Sequence, residues 1–173
     1  MIHFRKGELQ QANWTNVYLQ TALSLISGLN FFNPYSNWSI YRLLQKYAVK
    51  MGGGNNHRIG LYDMVMLKEN HISAAGGITP ALEKVFKVKP EQMKVEVELE
   101  NLDQVEEALS YPIHQVMLDN MDCETMRQGV EKIRAINSEI MIEASGNMTL
   151  ERIPEVSRTG VNYISIGALT HSV

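Results

Sequence analysis

From Asp63 onward, short apolar runs alternate with amphipathic stretches, and this regular beat limits the folds open to the chain. "DMVMLK" (63–68), "KVEVELE" (94–100), "HQVMLDN" (114–120), "EIMIEAS" (139–145) and "NYISIGA" (162–168) read as strands. Between them, 79–87, 101–110, 123–136 and 149–160 read as helices. Thr79 is the expected N-cap of the first, with Pro80 at its first position. Asn101 is placed to cap the second. Met126, Val130, Ile133 and Ile136 fall on one face of the third. Units of about 20 to 25 residues repeating in this way imply parallel strands joined by right-handed crossovers. The choice lies between an α/β barrel and an open doubly wound sheet.

The strand ends favour the barrel. Each strand closes on a chemically capable residue: Lys68, Glu98, Asp119, Glu143 with Ser145, and Gly167 ahead of His171. In an α/β barrel such ends gather at one mouth, where active sites are built. "KVEVELE" carries Val95, Val97 and Leu99 on one face and Glu96, Glu98 and Glu100 on the other. Glutamates on an inner face are costly unless they line a polar pocket. The competing reading is an amphipathic edge strand with solvated glutamates. Repetition over all five strands tips the balance toward a site.

The first third differs. Residues 13–29 read as a helix ending at Gly28, and 30–38, interrupted by Pro34, as a loop. Residues 39–51 read as a helix capped by Ser39, with Ile40, Leu43, Leu44, Tyr47 and Ala48 as its apolar face. No strong strand is visible there, so a closed eight-stranded barrel is not expected. The organisation read from this pattern is a divergent helical and loop segment at 1–38 and an α/β-barrel domain at 39–173.

Composition excludes several classes. A net charge of −3 gives no global basic field for nucleic acid. Cys123 is the single cysteine, which excludes an intramolecular disulfide, argues against a cysteine-based zinc site and fits a cytoplasmic setting. No apolar run approaches the roughly 20 residues of a membrane span, and the N-terminus has no signal-peptide core.

Several groups have the chemistry of a site. Gly52, Gly53 and Gly54 follow a helix and lack the Lys-Ser/Thr of a P-loop, so they read as a helix-ending turn. His57 beside Arg58 can grip a carboxylate or phosphate, or be a solvated pair. Lys68 can bind an anion, snorkel at a strand end, or form a Schiff base in an aldolase-like or isomerase-like reaction. Glu98 and Asp119 on successive strands suit Mg²⁺, a ribose diol or acid–base work; the alternatives are a solvated glutamate and a helix cap. "EASGN" (143–147) and "SIGALTH" (165–171) are small-residue turns after successive strands, a recurrent phosphate site in barrels. His71, His114 and His171 lack metal-ligand spacing with one another.

"KYAVKMGGGNNHRIGLYDMVMLKENHI", "VEVELENLDQVEEAL", "VMLDNM" and "IEASGNMTLERIPEVSRTGVNYISIGALTHS" closely resemble quinolinate phosphoribosyltransferase, also called nicotinate-nucleotide diphosphorylase (carboxylating). The resemblance covers about Arg42 to Val173, with the motifs in order. It accounts for many residues together, where the Schiff-base reading accounts for single ones. It implies an incomplete, open α/β barrel and formation of nicotinate mononucleotide, CO₂ and pyrophosphate from quinolinate and phosphoribosyl pyrophosphate, with Mg²⁺, in de novo NAD synthesis. It also implies a homo-oligomer, dimer or hexamer, with sites at the dimer interface. By the same resemblance, His57, Arg58 and Lys68 contact the quinolinate carboxylates. Glu98 and Asp119 face the ribose and the magnesium pyrophosphate, reaching the metal indirectly. Lys68, Glu98 and Asp119 form the catalytic set. Ser145, Gly146, Asn147, Gly167 and Ala168 hold the 5′-phosphate, with His171 nearby.

The sequence also departs from the family pattern. An N-terminal sandwich domain of roughly 100 residues is expected to be absent. A "DTRKT-PG-R"-like strand should precede "LLQKYAVK"; "NFFNPYSNWSIYR" stands there and supplies no Arg-Lys pair. Gln20 stands where a neighbouring subunit's arginine is expected. With these cations absent, the chain is expected to be weak or inactive alone. The alternative is a non-catalytic remnant that keeps nucleotide binding or partners a full-length subunit.

Overall fold

The computed structural model describes residues 2–5 (as backbone), 46–47, 49–51, 55–56 and 63–167. The expected helix at 13–29, the loop at 30–38, the start of the helix at 39–51 and the turn at Gly52 to Gly54 lie outside the described residues. So do His57, Arg58, Ala168 and His171.

Among the described residues seven strands form one sheet: β1 (Ile2–Arg5), β2 (Asn55–Asn56), β3 (Met64–Leu67), β4 (Lys94–Leu99), β5 (Gln115–Asp119), β6 (Met141–Ser145) and β7 (Tyr163–Ile166). Their order is β2-β1-β7-β6-β5-β4-β3. Strands β3 to β7 run parallel. Around them lie α1 (Glu69–Ala75), α2 (Ile78–Val88), α3 (Leu102–Ala108), α4 (Cys123–Ile136) and α5 (Ile153–Val156). The architecture is the expected open α/β barrel, with β3 and β2 at its edges among the described residues.

The core lies between the sheet's outer face and the helices. Leu67, Val97, Leu99, Val116, Leu118, Ile142 and Ile164 join Leu82, Val105, Met126 and Ile133 there. Met126, Val130 and Ile133 hold α4 down, at about 1.5–3 kcal/mol for each large apolar side chain buried. Gly129 brings the α4 backbone close to Leu118 and Leu102. Ile136, expected on the same face, is 64% exposed at the last residue of the helix. In the helical stretch ending at Met51, Tyr47 is likewise exposed and Val49 is buried instead.

Other departures have local causes. Strand β1 falls in the region expected to hold no strand: "IHFR" stands alone in sequence and finds its partners only through long-range antiparallel pairing with β7 and β2. Helix α1 was not expected, since "ENHISAA" is short and polar; it ends where Gly76 adopts a left-handed φ of 92°. Helix α2 starts at Ile78, so Thr79 is not its cap. The Thr79 amide donates instead to Glu107 Oε1 at 2.8 Å, a cap supplied by α3. Asn101 caps α3 as expected, accepting from the Gln104 amide at 2.9 Å. Residues 149–160 form turns around a helix of only four residues, α5, with Pro154 near its start.

Candidate active site at the carboxyl ends of the parallel strands

Strand pairing places the polar side chains before any contact is considered. Leu67 pairs with Val97, Glu98 with Met117, and Asp119 with Ser145. The strand-end residues Lys68, Glu98, Asp119 and Ser145 therefore gather on the inner face at one end of the sheet. Strand β4 is hydrogen-bonded on both sides, so the solvated edge-strand reading of "KVEVELE" fails.

Below this rim the inner face is a polar network. Glu96 and Glu143 are both 0% exposed. The Gln115 amide donates to Glu96 Oε1 and to Glu143 Oε2, each at 2.9 Å. The Ser165 hydroxyl donates to Glu143 Oε1. Four strands are thus tied through side chains, which fixes their register and the level of the rim above. Glu96 and Gln115 are functional-face residues that strand-end reasoning passes over. Their signal is the period of two: Glu96 with Glu98, and Gln115 with Met117 and Asp119.

At the rim, burial pushes the Glu98 carboxyl above the usual range. The negative charge of Asp119 pushes it the same way, while Lys68 and a hydrogen bond from the Glu69 amide oppose the rise. The charge of Glu100 adds a smaller upward push, and Lys68 and Asp119 both lie near enough for their charges to act on Glu98. Asp119 does not cap the following helix. Asp122 does, accepting from the Thr125 amide at 2.7 Å. His71 is spent locally, its Nδ1 accepting from the Lys68 amide at 3.1 Å. His114 Nδ1 accepts from the Val95 amide at 3.3 Å, and burial with Lys89 and Lys94 nearby lowers its pKa.

The turn after β6 is built against the turn after β5. The Asn120 amide donates to the Ser145 carbonyl at 3.1 Å, extending the strand ladder by one bond. Asn120 and Asn147 are both left-handed, at φ 54° and 49°. Asn147 Nδ2 donates to Asn120 Oδ1 at 3.0 Å, and Asn120 Nδ2 donates to Asp119 Oδ2 at 2.6 Å. Gly146, at φ +84°, lies so close that a Cβ there would sit 2.2 Å from Asn120 Oδ1. Asn120 is a further site-forming residue the sequence reading passed over. Gly167 follows β7 at the same end of the sheet.

Parallel strands carrying a lysine, two carboxylates and small-residue turns at their carboxyl ends define an α/β-barrel protein with a charged mouth. Residues 40–173 match the family described as quinolinate phosphoribosyl transferase, C-terminal domain, and the chain belongs to that family. It is 47% identical over 127 residues to a probable nicotinate-nucleotide pyrophosphorylase [carboxylating] of Synechocystis, covering 73% of this chain and 43% of that protein. It is also 47% identical to the chloroplastic nicotinate-nucleotide pyrophosphorylase [carboxylating] of Arabidopsis thaliana, covering 76% and 42%. Among solved structures, the nicotinate-nucleotide pyrophosphorylase of Francisella tularensis aligns with a TM-score of 0.68 at 45% identity, covering 75% and 45%. NadC from Streptococcus pyogenes aligns at 0.67 and 35% identity, covering 93% and 57%. The chain spans less than half the length of these curated relatives.

Proposed function

We propose that the chain is the barrel portion, residues 39–173, of a quinolinate phosphoribosyltransferase, preceded by a divergent segment at 1–38. It forms nicotinate mononucleotide, CO₂ and pyrophosphate from quinolinate and phosphoribosyl pyrophosphate in de novo NAD synthesis. The observation that carries this reading is the Lys68, Glu98 and Asp119 cluster beside the Gly146 turn, in a chain of this family.

The residue types suit the reaction. Quinolinate is a dianion, and His57, Arg58 and Lys68 supply the cations that hold it. Loss of pyrophosphate leaves oxocarbenium character on the ribose, which Glu98 and Asp119 stabilise electrostatically. Attack by the pyridine nitrogen quaternises the ring, and the ring then accepts the electrons released as the adjacent carboxylate departs. Ser145, Gly146, Asn147, Gly167 and Ala168 hold the 5′-phosphate with His171 nearby, so the protein mainly positions its substrates and balances charge.

Two neighbouring carboxylates fit a divalent cation. Among the described residues, no group of three or more His, Cys, Asp or Glu could hold a metal ion. Glu98 and Asp119 would hold Mg²⁺ indirectly, through pyrophosphate or water. When bound, Mg²⁺ neutralises the charge of the departing pyrophosphate.

Sites at a subunit interface make a homo-oligomer, dimer or hexamer, part of the proposal. The negative net charge disfavours nucleic acid as a partner. Among the described residues no helix is long and apolar enough to cross a membrane, and a cytoplasmic setting completes the reading. Residues 13–38 supply neither the family's Arg-Lys pair nor its arginine. The chain alone is therefore weak or inactive, and the alternative is a remnant that binds nucleotide without catalysis. An assay of nicotinate mononucleotide formation by the purified chain separates the two. Slow Mg²⁺-dependent product supports catalysis, no product with retained nucleotide binding supports the remnant, and neither product nor binding removes the function altogether.

A further inference from the structure

The turn at 145–147 does not have the support its sequence promises. A helix directly behind it would lend a positive dipole end, but α5 begins only at Ile153 and is four residues long. What stands behind the turn is the Arg152 guanidinium. Its Nη1 donates to the Gly146 carbonyl at 3.1 Å, with a longer contact to the Asn147 carbonyl at 3.5 Å. Its Nη2 donates to the Met121 carbonyl at 2.5 Å. One planar fork thus joins the turn after β6 to the turn after β5, in addition to the Asn120–Asn147 contact.

We propose that Arg152 is a positioning residue that holds the 145–147 turn in its anion-accepting shape and places a fixed positive charge behind it. Two features argue for this role. All three acceptors are backbone carbonyls, and among the described residues no carboxylate is hydrogen-bonded to the guanidinium, though Asp122 lies near enough to feel its charge. Binding the carbonyls from behind also leaves the turn's amides as the groups available to an anion in front. Arg152 does not touch substrate in this arrangement; it acts through Gly146 and Asn147. The inference rests on the phosphate reading of the turn.

Three measurements on the full chain test it. In Arg152→Ala, hydrogen–deuterium exchange across 144–150 should rise in the unliganded protein, whatever ligand the turn binds. Calorimetric affinity for nicotinate mononucleotide should fall roughly tenfold, the size of one charge-assisted hydrogen bond lost from a binding loop. Affinity for nicotinate riboside, which lacks the phosphate, should hold. Arg152→Gln keeps donors but no charge and should fall between wild type and alanine; it also serves if alanine does not fold. Unchanged exchange, or an equal loss for mononucleotide and riboside, overturns the positioning role. Failure of wild type to bind the mononucleotide while exchange still rises overturns the phosphate reading and leaves Arg152 only a structural clamp.

Discussion

Asn147 donates from Nδ2 to Asn120 Oδ1 at 3.0 Å, and through this contact the turn after β6 is fixed to the turn after β5. Asn120 passes the constraint on, since its Nδ2 holds Asp119 Oδ2 at 2.6 Å. The orientation of a rim carboxylate and the shape of a small-residue turn are therefore set by one side chain in a left-handed conformation.

Replacing Asn120 separates the two contributions. Asn120→Gly loses the side-chain contacts but accepts the left-handed backbone; Asn120→Ala loses both. The alanine variant should be less stable than the glycine variant by about 1 kcal/mol in denaturant unfolding. Equal stabilities would show that the backbone at Asn120 is not held left-handed.

Gly146→Ala meets Asn120 directly, with Oδ1 at 2.2 Å, Cγ at 2.6 Å and the backbone N at 2.7 Å from the new Cβ. A positive φ adds strain, and the turn must open. A loss of about 2 to 4 kcal/mol in stability is expected, with weakened nucleotide binding. A thermal melt matching wild type would contradict the packing described.

The raised Glu98 pKa has a definite sign. Burial acts first and Asp119 second, so the folded chain holds this proton to higher pH than the unfolded chain does. The group's contribution to stability is complete below the ordinary glutamate value and is lost as pH rises through the folded value. In carboxyl-carbon NMR titrations, Asp119→Asn should move the Glu98 midpoint down and Lys68→Met should move it up. A midpoint indifferent to Asp119→Asn would show that the two carboxylates do not share one site.

Gln115→Leu takes one donor from each of two buried carboxylates at once. Destabilisation of more than about 2 kcal/mol is expected, because two hydrogen bonds to buried carboxyl groups are lost together. Denaturant unfolding measures it, and a loss below 1 kcal/mol would mean the network does not hold the register.

The parts legible in the sequence were those set by local pattern. Helix α4 runs over the expected 123–136, and the five parallel strands fall inside their expected runs. The gathering of Lys68, Glu98 and Asp119 followed from strand ends alone. What escaped depended on partners distant in sequence: the pairing of "IHFR" with β7, the capping of α2 by Glu107, and the fork of Arg152 between two turns. Ile136 misled because helical periodicity gives a face and not whether the helix end on that face is covered. Gln115 escaped because a lone amide in a strand has no motif until its two glutamates are placed.

The central claim is that the rim around Lys68, Glu98, Asp119 and the Gly146 turn is a phosphoribosyl site. Calorimetric titration of phosphoribosyl pyrophosphate with Mg²⁺ into the purified chain tests it most directly. One saturable site per chain is predicted, weakened at least about tenfold in Asp119→Asn, because the carboxylate that accepts from a ribose hydroxyl and reaches the pyrophosphate through Mg²⁺ is lost. The absence of saturable binding, or the same affinity in Asp119→Asn as in wild type, would contradict it.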